Sequence, residues 1–379
     1  MNRGRLFWLC AVAFTCNIGI AQNLPATSSP EAAISTGARE YLEAALDTMQ
    51  QHVVFPEQVD WKALRRESFV RAVGASTLTD TYPAIIYACE RLRQQQQCGG
   101  FRLPDSASPE TIRKAQEAEA ANAPPERKAI LAMPPSPFTS RSDPAGKLLK
   151  SNTGKTFVYL VVPHCYPPFA DMAKDKPFLD HWAATLRALI LSAANAHPSG
   201  WIVDLRGNGG SNMWAALAGL GPLLGDGPVG FFKDRRGREE WVYDKDGIAV
   251  MSLDQNGKPH EVYIQRLGGP QIALGDAPVA VLFDNATGGS GEAIAIAFAG
   301  RHRERSFGVH TAGATGCCTR FPLSDGAVLA LNFGVEQDRL GRGYPEGLQP
   351  DVRVELNSDA LTESDAVIQA AEDWLSSLH

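Results

Sequence analysis

One serine stands among glycines in the stretch DNATGGSGEAIAIAFAG, Asp284 to Gly300. An apolar run, PVAVLF, leads into it and a helix-like run follows. Strand, sharp turn and helix is the arrangement that lifts a nucleophilic hydroxyl clear of a sheet. Gly288, Gly289 and Gly291 add almost no bulk around Ser290, so a substrate backbone can approach it. The same serine can instead cap the helix, with Glu292 in the first turn suiting the helix dipole. A hydroxyl attacks at neutral pH only with a base within hydrogen-bond reach. His310, in GVHTAG, and His164, after the apolar run TFVYLVVP, are the candidate bases; each can also be a hydrogen-bonded structural histidine. His302, just past the helix, reads as a solvated surface residue, and Glu346 either orients a base or occupies a turn.

A second motif is IVDLRGNGGSN, Ile202 to Asn212, where a buried strand ends and four residues, Gly207 to Gly210, turn into a helix. Glycines permit positive φ and leave amides exposed at a helix start, where they can hold an oxyanion or simply make a tight turn. Gly209 and Gly210, with Gly289 and Gly291, are therefore the candidate oxyanion and substrate-binding positions. Metal binding is not expected, because no CxxC or HxxxH pair occurs, and no cofactor is implied. Cys317-Cys318 adjoin the His310 stretch, and a thiol nucleophile there is the alternative to paired or structural cysteines. The polar stretch 232–247 reads as a solvated hairpin whose Trp241 and Tyr243 can line a peptide groove.

The elements that must carry these groups alternate. TFVYLVVP is a strand, FLDHWAATLRALILSAANA an amphipathic helix, and GWIVDLRG a buried strand. NMWAALAGLGPLLG is a helix, PVAVLFDN a strand and GEAIAIAFAG a helix, which together predict a mostly parallel α/β core over 151–379. SDGAVLALNFGVEQD adds a turn and a strand, and a terminal helix follows with Thr362 as its cap. Ahead of the core, 38–103 has helical apolar spacing and reads as a small N-terminal helical domain. The Pro-, Ala- and Ser-rich segment 104–150 reads as a linker or flap containing one helix.

MNRGRLFWLCAVAFTCNIGIAQN has the charged start, apolar centre and small-residue end of a cleaved leader, with cleavage expected after Ala21 and a polar tether over 22–37. The apolar run is too short and interrupted for a stable membrane span. A periplasmic or secreted protein is expected. Five of the seven cysteines lie beyond the leader, and their pairing cannot be read from spacing. The net charge of −6 and the lack of a basic stripe argue against nucleic acid, leaving a peptide or protein as partner.

The motifs DLRGNGG, TGGSGEAIAIAFAGR, FGVHTAG, LSDGAVLAL and GLQPD follow one order. Over roughly 155–355 this order resembles the tail-specific, or C-terminal processing, serine proteases, whose relatives include the tricorn core and the repeats of interphotoreceptor retinoid-binding protein. The resemblance implies a crotonase-like or ClpP-like spiral α/β core, an oxyanion donor from the Gly209-Gly210 turn, and a serine-type peptidase acting through an acyl-enzyme. Three positions depart from the family pattern. The family serine, three residues before the acid, falls on Gly289, one before Ser290. The lysine base of one branch falls on Ala314, and the histidine of the tricorn-like branch falls near Gly99-Gly100. The alternative is an inactive member that binds peptide or an apolar ligand in the same groove.

Overall fold

The computed structural model describes residues 34–169, 171–210, 212–253, 258–268, 272–355 and 365–378. The leader and most of the tether lie outside them. Helix α1 (Thr36–His52) starts where the Ser35 hydroxyl accepts the Ala38 amide, and it buries Tyr41, Leu42, Ala45, Leu46 and Met49 along one face. Asp60 caps α2 (Trp61–Arg71) in the same way. Helix α3 (Tyr82–Arg93) leads through a tight corner to strand β1 (Cys98–Arg102). Then come α4 (Pro109–Asn122), α5 (Pro125–Leu131), β2 (Ala145–Lys150) and β3 (Thr156–Val161).

The core continues with α6 (Met172–Ala194), β4 (Gly200–Asp204) and α7 (Met213–Leu224). Four strands follow, β5 (Gly227–Lys233), β6 (Arg238–Asp244), β7 (Gly247–Leu253) and β8 (Pro259–Arg266). The chain then makes β9 (Val279–Phe283), α8 (Ser290–Phe298), β10 (Glu304–Gly308), β11 (Gly316–Pro322), β12 (Val328–Asp338), β13 (Val352–Arg353) and α9 (Ala366–Ser377).

Two sheets organise these elements. One has the order β13-β10-β9-β4-β3-β2 and is parallel except at β2. Its central strands β4 and β9 are buried throughout, which is why they read as continuous apolar runs. One face packs on α9 through Val367, Ala371 and Leu375. Residues of α6, α7 and α8 cluster with the other face. The second sheet, β1-β12-β5-β6-β7-β8 with β11 also on β12, is antiparallel.

The chain therefore has the α/β core and N-terminal helical region expected from the sequence, plus a large antiparallel sheet that was not expected. The N-terminal helices share one apolar cluster with Ala327, Leu329 and Leu331. Within 104–150, strand β2 was also unexpected; it sits at a sheet edge and is almost wholly exposed, so it carries no apolar alternation. Trp241 and Tyr243 do sit in a hairpin strand; Tyr243 borders a cavity of about 760 Å³ with Gly221 and Asp226, while Trp241 faces the core. Both are buried, because β6 lays that face against α7. The expected cap Thr362 lies outside the described residues; Asp365 accepts the Val367 and Ile368 amides and caps α9.

Trp241 is fully buried and packs edge-on against Phe232 at 4.7 Å and Trp214 at 6.2 Å. Trp241→Ala should lower unfolding free energy by about 3–5 kcal/mol, the usual cost of emptying so large a site. Urea unfolding measures this; a loss below about 1 kcal/mol would show that the sheet is not anchored there.

Candidate functional site

The first turn is held from below by a buried charge network. At the end of β4, Asp204 accepts the Arg206 backbone amide at 3.0 Å and its Nε at 2.9 Å. Its other oxygen accepts Arg206 Nη2 at 2.9 Å, Arg141 Nη1 at 2.7 Å and the Tyr159 hydroxyl at 2.5 Å. Burial alone would raise the Asp204 pKa; Arg206, Arg141 and Tyr159 reverse this and hold the carboxyl well below its ordinary range. Arg206 Nη1 reaches Asp365 at 3.0 Å, which ties the turn to the cap of α9.

Asn208 then shapes the glycine turn. Its Nδ2 donates to Val162 O at 3.0 Å and Pro163 O at 3.1 Å, while its Oδ1 accepts the Gly210 amide at 3.1 Å. The second turn locks against this one. Asp284 Oδ1 accepts the Gly207 amide at 3.0 Å and the Ala286 and Thr287 amides at 3.1 Å, and its other oxygen accepts the Ser136 hydroxyl. Thr287 Oγ1 donates to Leu205 O at 2.9 Å, and the Gly288 amide donates to Asn208 O at 2.9 Å. A Cβ on Gly210, whose φ is +111°, would lie 3.1 Å from Gly288 O and from Ser290 N. A Cβ on Gly291 would lie 2.2 Å from Asn208 O. The turns touch backbone to backbone, and glycine is required for that approach.

A third segment joins at Glu292, which is buried in α8. Its Oε1 accepts the Thr311 hydroxyl at 2.5 Å and the Gly313 amide at 2.8 Å. Its Oε2 accepts the Ala314 amide at 2.7 Å and the Gly289 amide at 3.1 Å. Burial raises the Glu292 pKa, opposed by those four donors. Glu336, also buried, has one carboxylate oxygen without a hydrogen-bond partner among the described residues. Burial, and then the neighbouring Glu292, push its pKa well above the ordinary value. Arg127 of α5 donates to Ala312 O at 2.7 Å, so the segment read as a linker or flap helps hold this loop.

The chain that carries these two glycine turns, at the ends of adjacent parallel strands and closed by a buried acid from the following helix, is similar to known proteins. Residues 169–354 match peptidase family S41. That segment belongs to the family. A nisin-resistance protein of Lactococcus lactis subsp. lactis is 31% identical over 156 residues, covering 41% of this chain and 46% of that protein. The chain thus matches less than half the length of that relative. A putative peptidase from Parabacteroides merdae shares the fold at a TM-score of 0.57, with 16% identity over 91% of this chain and 100% of its own. A lipoprotein from Streptococcus agalactiae does so at 0.52, with 19% identity over 91% and 98%.

Within this S41 segment Ser290 occupies the first turn of α8, and the cap is Gly289, at φ 52° and ψ −119°. That backbone is strained for any residue with a side chain, and glycine adopts it freely. It falls on the position where the resemblance puts the family serine. The structure brings Ser290 to Gly210, as the sequence reading required. It distributes the other candidates differently. The Gly210 amide is taken by Asn208 Oδ1, the Gly289 amide by Glu292, and the Gly291 amide by Gly288 O at 2.9 Å. Gly210 and Gly291 supply close approach and Gly289 a positive φ, while the exposed Gly209 amide has no protein acceptor among the described residues.

His310 is buried, with Nδ1 2.8 Å from Thr311 O. It lines a cavity of about 210 Å³ with Ile130, Met133, Gln349 and Pro350, none of them from the two glycine turns. The His164 ring packs tilted by 46° against Tyr166, centroids 4.7 Å apart, and the Tyr166 hydroxyl lies 3.9 Å from where a Cβ on Gly209 would be. His164 is thus the histidine on the Gly209 side. His302 is exposed. Gly99 and Ala314 line one small cavity, so the two positions at which the resemblance misses a base are neighbours in space. Burial raises the Cys317 and Cys318 thiols, which suits neither as a nucleophile at neutral pH. Tyr166, Asp284 and Arg127 were not singled out from the sequence. Only Asp284 left a signal there, as an acid directly after a buried strand.

A carboxyl with a raised folded pKa adds full stability below its unfolded value and loses it as pH rises above that value. For Glu336 the loss begins near the ordinary glutamate value of 4.5. Glu336→Gln removes the loss. The melting temperature of the variant relative to the parent should climb between pH 5 and pH 8, by at least about 2 °C. Thermal melts across that range check it; a difference independent of pH would mean that Glu336 is not held protonated.

Proposed function

We propose that this protein is an exported serine-type peptidase of family S41, cleaving peptides or protein C-termini, with Ser290 as nucleophile. The supporting observation is the contact of the Gly210 turn with the Ser290 backbone, 3.1 Å from a Cβ built on Gly210. Ser290 Oγ attacks the scissile carbonyl and passes its proton to His164, oriented against Tyr166. The Gly209 amide, at the rim of the turn, holds the oxyanion. The leaving amine takes the proton from His164, and water then hydrolyses the acyl-enzyme by the reverse proton path. Export accords with the leader-like N-terminus. It also accords with the names of two similar proteins, a nisin-resistance protein and a lipoprotein. No helix among the described residues is long and apolar enough to cross a membrane.

Two observations favour a second reading. Glycine occupies the strained cap position at 289, and the Gly210 amide is spent on Asn208. A chain with those two features can keep the groove and bind peptide or an apolar ligand without cleaving it.

A fluorophosphonate probe separates the two. The peptidase reading expects one adduct, mapped to Ser290, abolished in Ser290→Ala and slowed by about a hundredfold or more in His164→Ala. Folded protein that stays unlabelled would overturn it in favour of the binding reading.

A further inference from the structure

We propose that the cavity at the C-terminal ends of α7 and α8 is a binding site for a small organic carboxylate. The cavity measures about 760 Å³ and lies between the end of α7, the loop 272–277 and the arginines that follow α8 and β12. Its wall is held in place. The Leu274 amide donates to Pro222 O at 3.2 Å. A Cβ on Gly275 would lie 3.1 Å from Gly225 Cα, so the loop closes on the end of α7 backbone to backbone. Pro222, Leu224, Ile272 and Leu274 line it with apolar surface for the body of a ligand.

Two arginines supply the charge. Arg301 lines the cavity and is 6% exposed. Its Nη1 donates to His302 O at 2.9 Å, and its Nη2 donates to Leu274 O at 3.1 Å, Ala277 O at 2.7 Å and Gly275 O. Arg339 lines the same cavity, and its Nη2 donates to Ala297 O at 2.8 Å and Leu224 O at 3.3 Å. All of these partners are carbonyls, so among the described residues neither guanidinium is in an ion pair. Both Nε atoms lack a partner, and Arg339 Nη1 donates to no protein group among the described residues.

The acids nearby do not cancel this charge. Glu304 acts on both arginines, but burial and then Asp351 push its pKa up to about 8, so it is mostly neutral at pH 7. Asp338 is engaged by Arg342 Nε and the Tyr344 hydroxyl, each at 2.7 Å. Asp226 and Asp276 are exposed at the mouth, as are Lys245 and His302, and water screens them. The two helix ends offset about half a charge each, which leaves about one positive charge over. A buried charge without a counter-charge is costly, and burial followed by repulsion from Arg339 lowers the Arg301 pKa to about 10. A monoanion seated at Arg339 Nη1 relieves that cost, and a carboxylate suits the balance better than a dianionic phosphate. Ser290 starts the nine-residue α8, so the site stands a helix length, about 12 Å, from it. The inference does not depend on catalysis by Ser290.

The test is isothermal titration of the full chain, at fixed chloride, with N-acetylphenylalanine, its uncharged amide and phenyl phosphate. The expected result is saturable binding of the acid, at least about tenfold weaker binding of the amide, and no tighter binding of phenyl phosphate. Arg339→Gln should weaken the acid by at least about tenfold. Hydrogen exchange on the parent chain locates the site whether or not that variant folds. The acid should slow exchange at 272–277 and leave 311–314 unchanged. Any one of four results would overturn the proposal: no saturable binding, equal binding of acid and amide, tighter binding of phenyl phosphate, or protection at 311–314 in place of 272–277. Undiminished binding to folded Arg339→Gln would do the same.

Discussion

The Glu292 carboxylate is the interaction on which the site depends. It is buried, and it accepts four hydrogen bonds from two segments, the start of α8 and the loop Thr311–Ala314, that are otherwise joined by the Ala312 amide on Thr287 O at 2.8 Å. A carboxylate out of water is costly unless its lone pairs are filled, and here the donors that fill them are mostly backbone amides. The loop therefore cannot move without exposing a poorly solvated acid. That constraint sets where Ser290, Gly289 and Ala314 stand relative to one another.

The same logic repeats beneath the other turn. Asp204 and Arg206 are both buried, and each carries further partners, Arg141 and Tyr159 for the aspartate and Asp365 for the arginine. Pairs of this kind add little net stability over apolar residues, but breaking one side leaves a stranded charge. Asp284 and Asn208 then convert the two strand ends into a single backbone contact. The acids that hold this site are thus mainly structural. The groups proposed to do chemistry, Ser290, the Gly209 amide and the His164–Tyr166 pair, lie at or beside the two turns that these acids hold.

Much of this could be read before any coordinates, for physical reasons that differ by element. Strands β3, β4 and β9 and helices α6, α7 and α8 are buried on both sides or along broad faces, so their apolar runs announce them. Strands β5 to β8 alternate, mix charge with apolar residues and pair only with one another or with the distant β12, so the sequence showed a hairpin and not a sheet. Trp241 looked like a groove residue because its neighbours are charged; its own face is turned into the core. Glu292 was legible as an acid in a first turn, but its partners at 311–314 are brought by tertiary folding. His310 and His164 could not be ranked from the sequence, because strand ends fix a residue's height and not its side chain's direction. Coordinates put His310 in a separate cavity and His164 beside Tyr166.

Amide hydrogen exchange on Glu292→Gln, read segment by segment, tests the central claim most directly. The variant replaces one charged oxygen with an amide that cannot accept, so at least two of the four bonds are lost. The account predicts that exchange across 311–314 and at Gly289 accelerates by about tenfold or more, while β4 and β9 keep their protection. Unchanged protection of the 311–314 amides in the folded variant would contradict it.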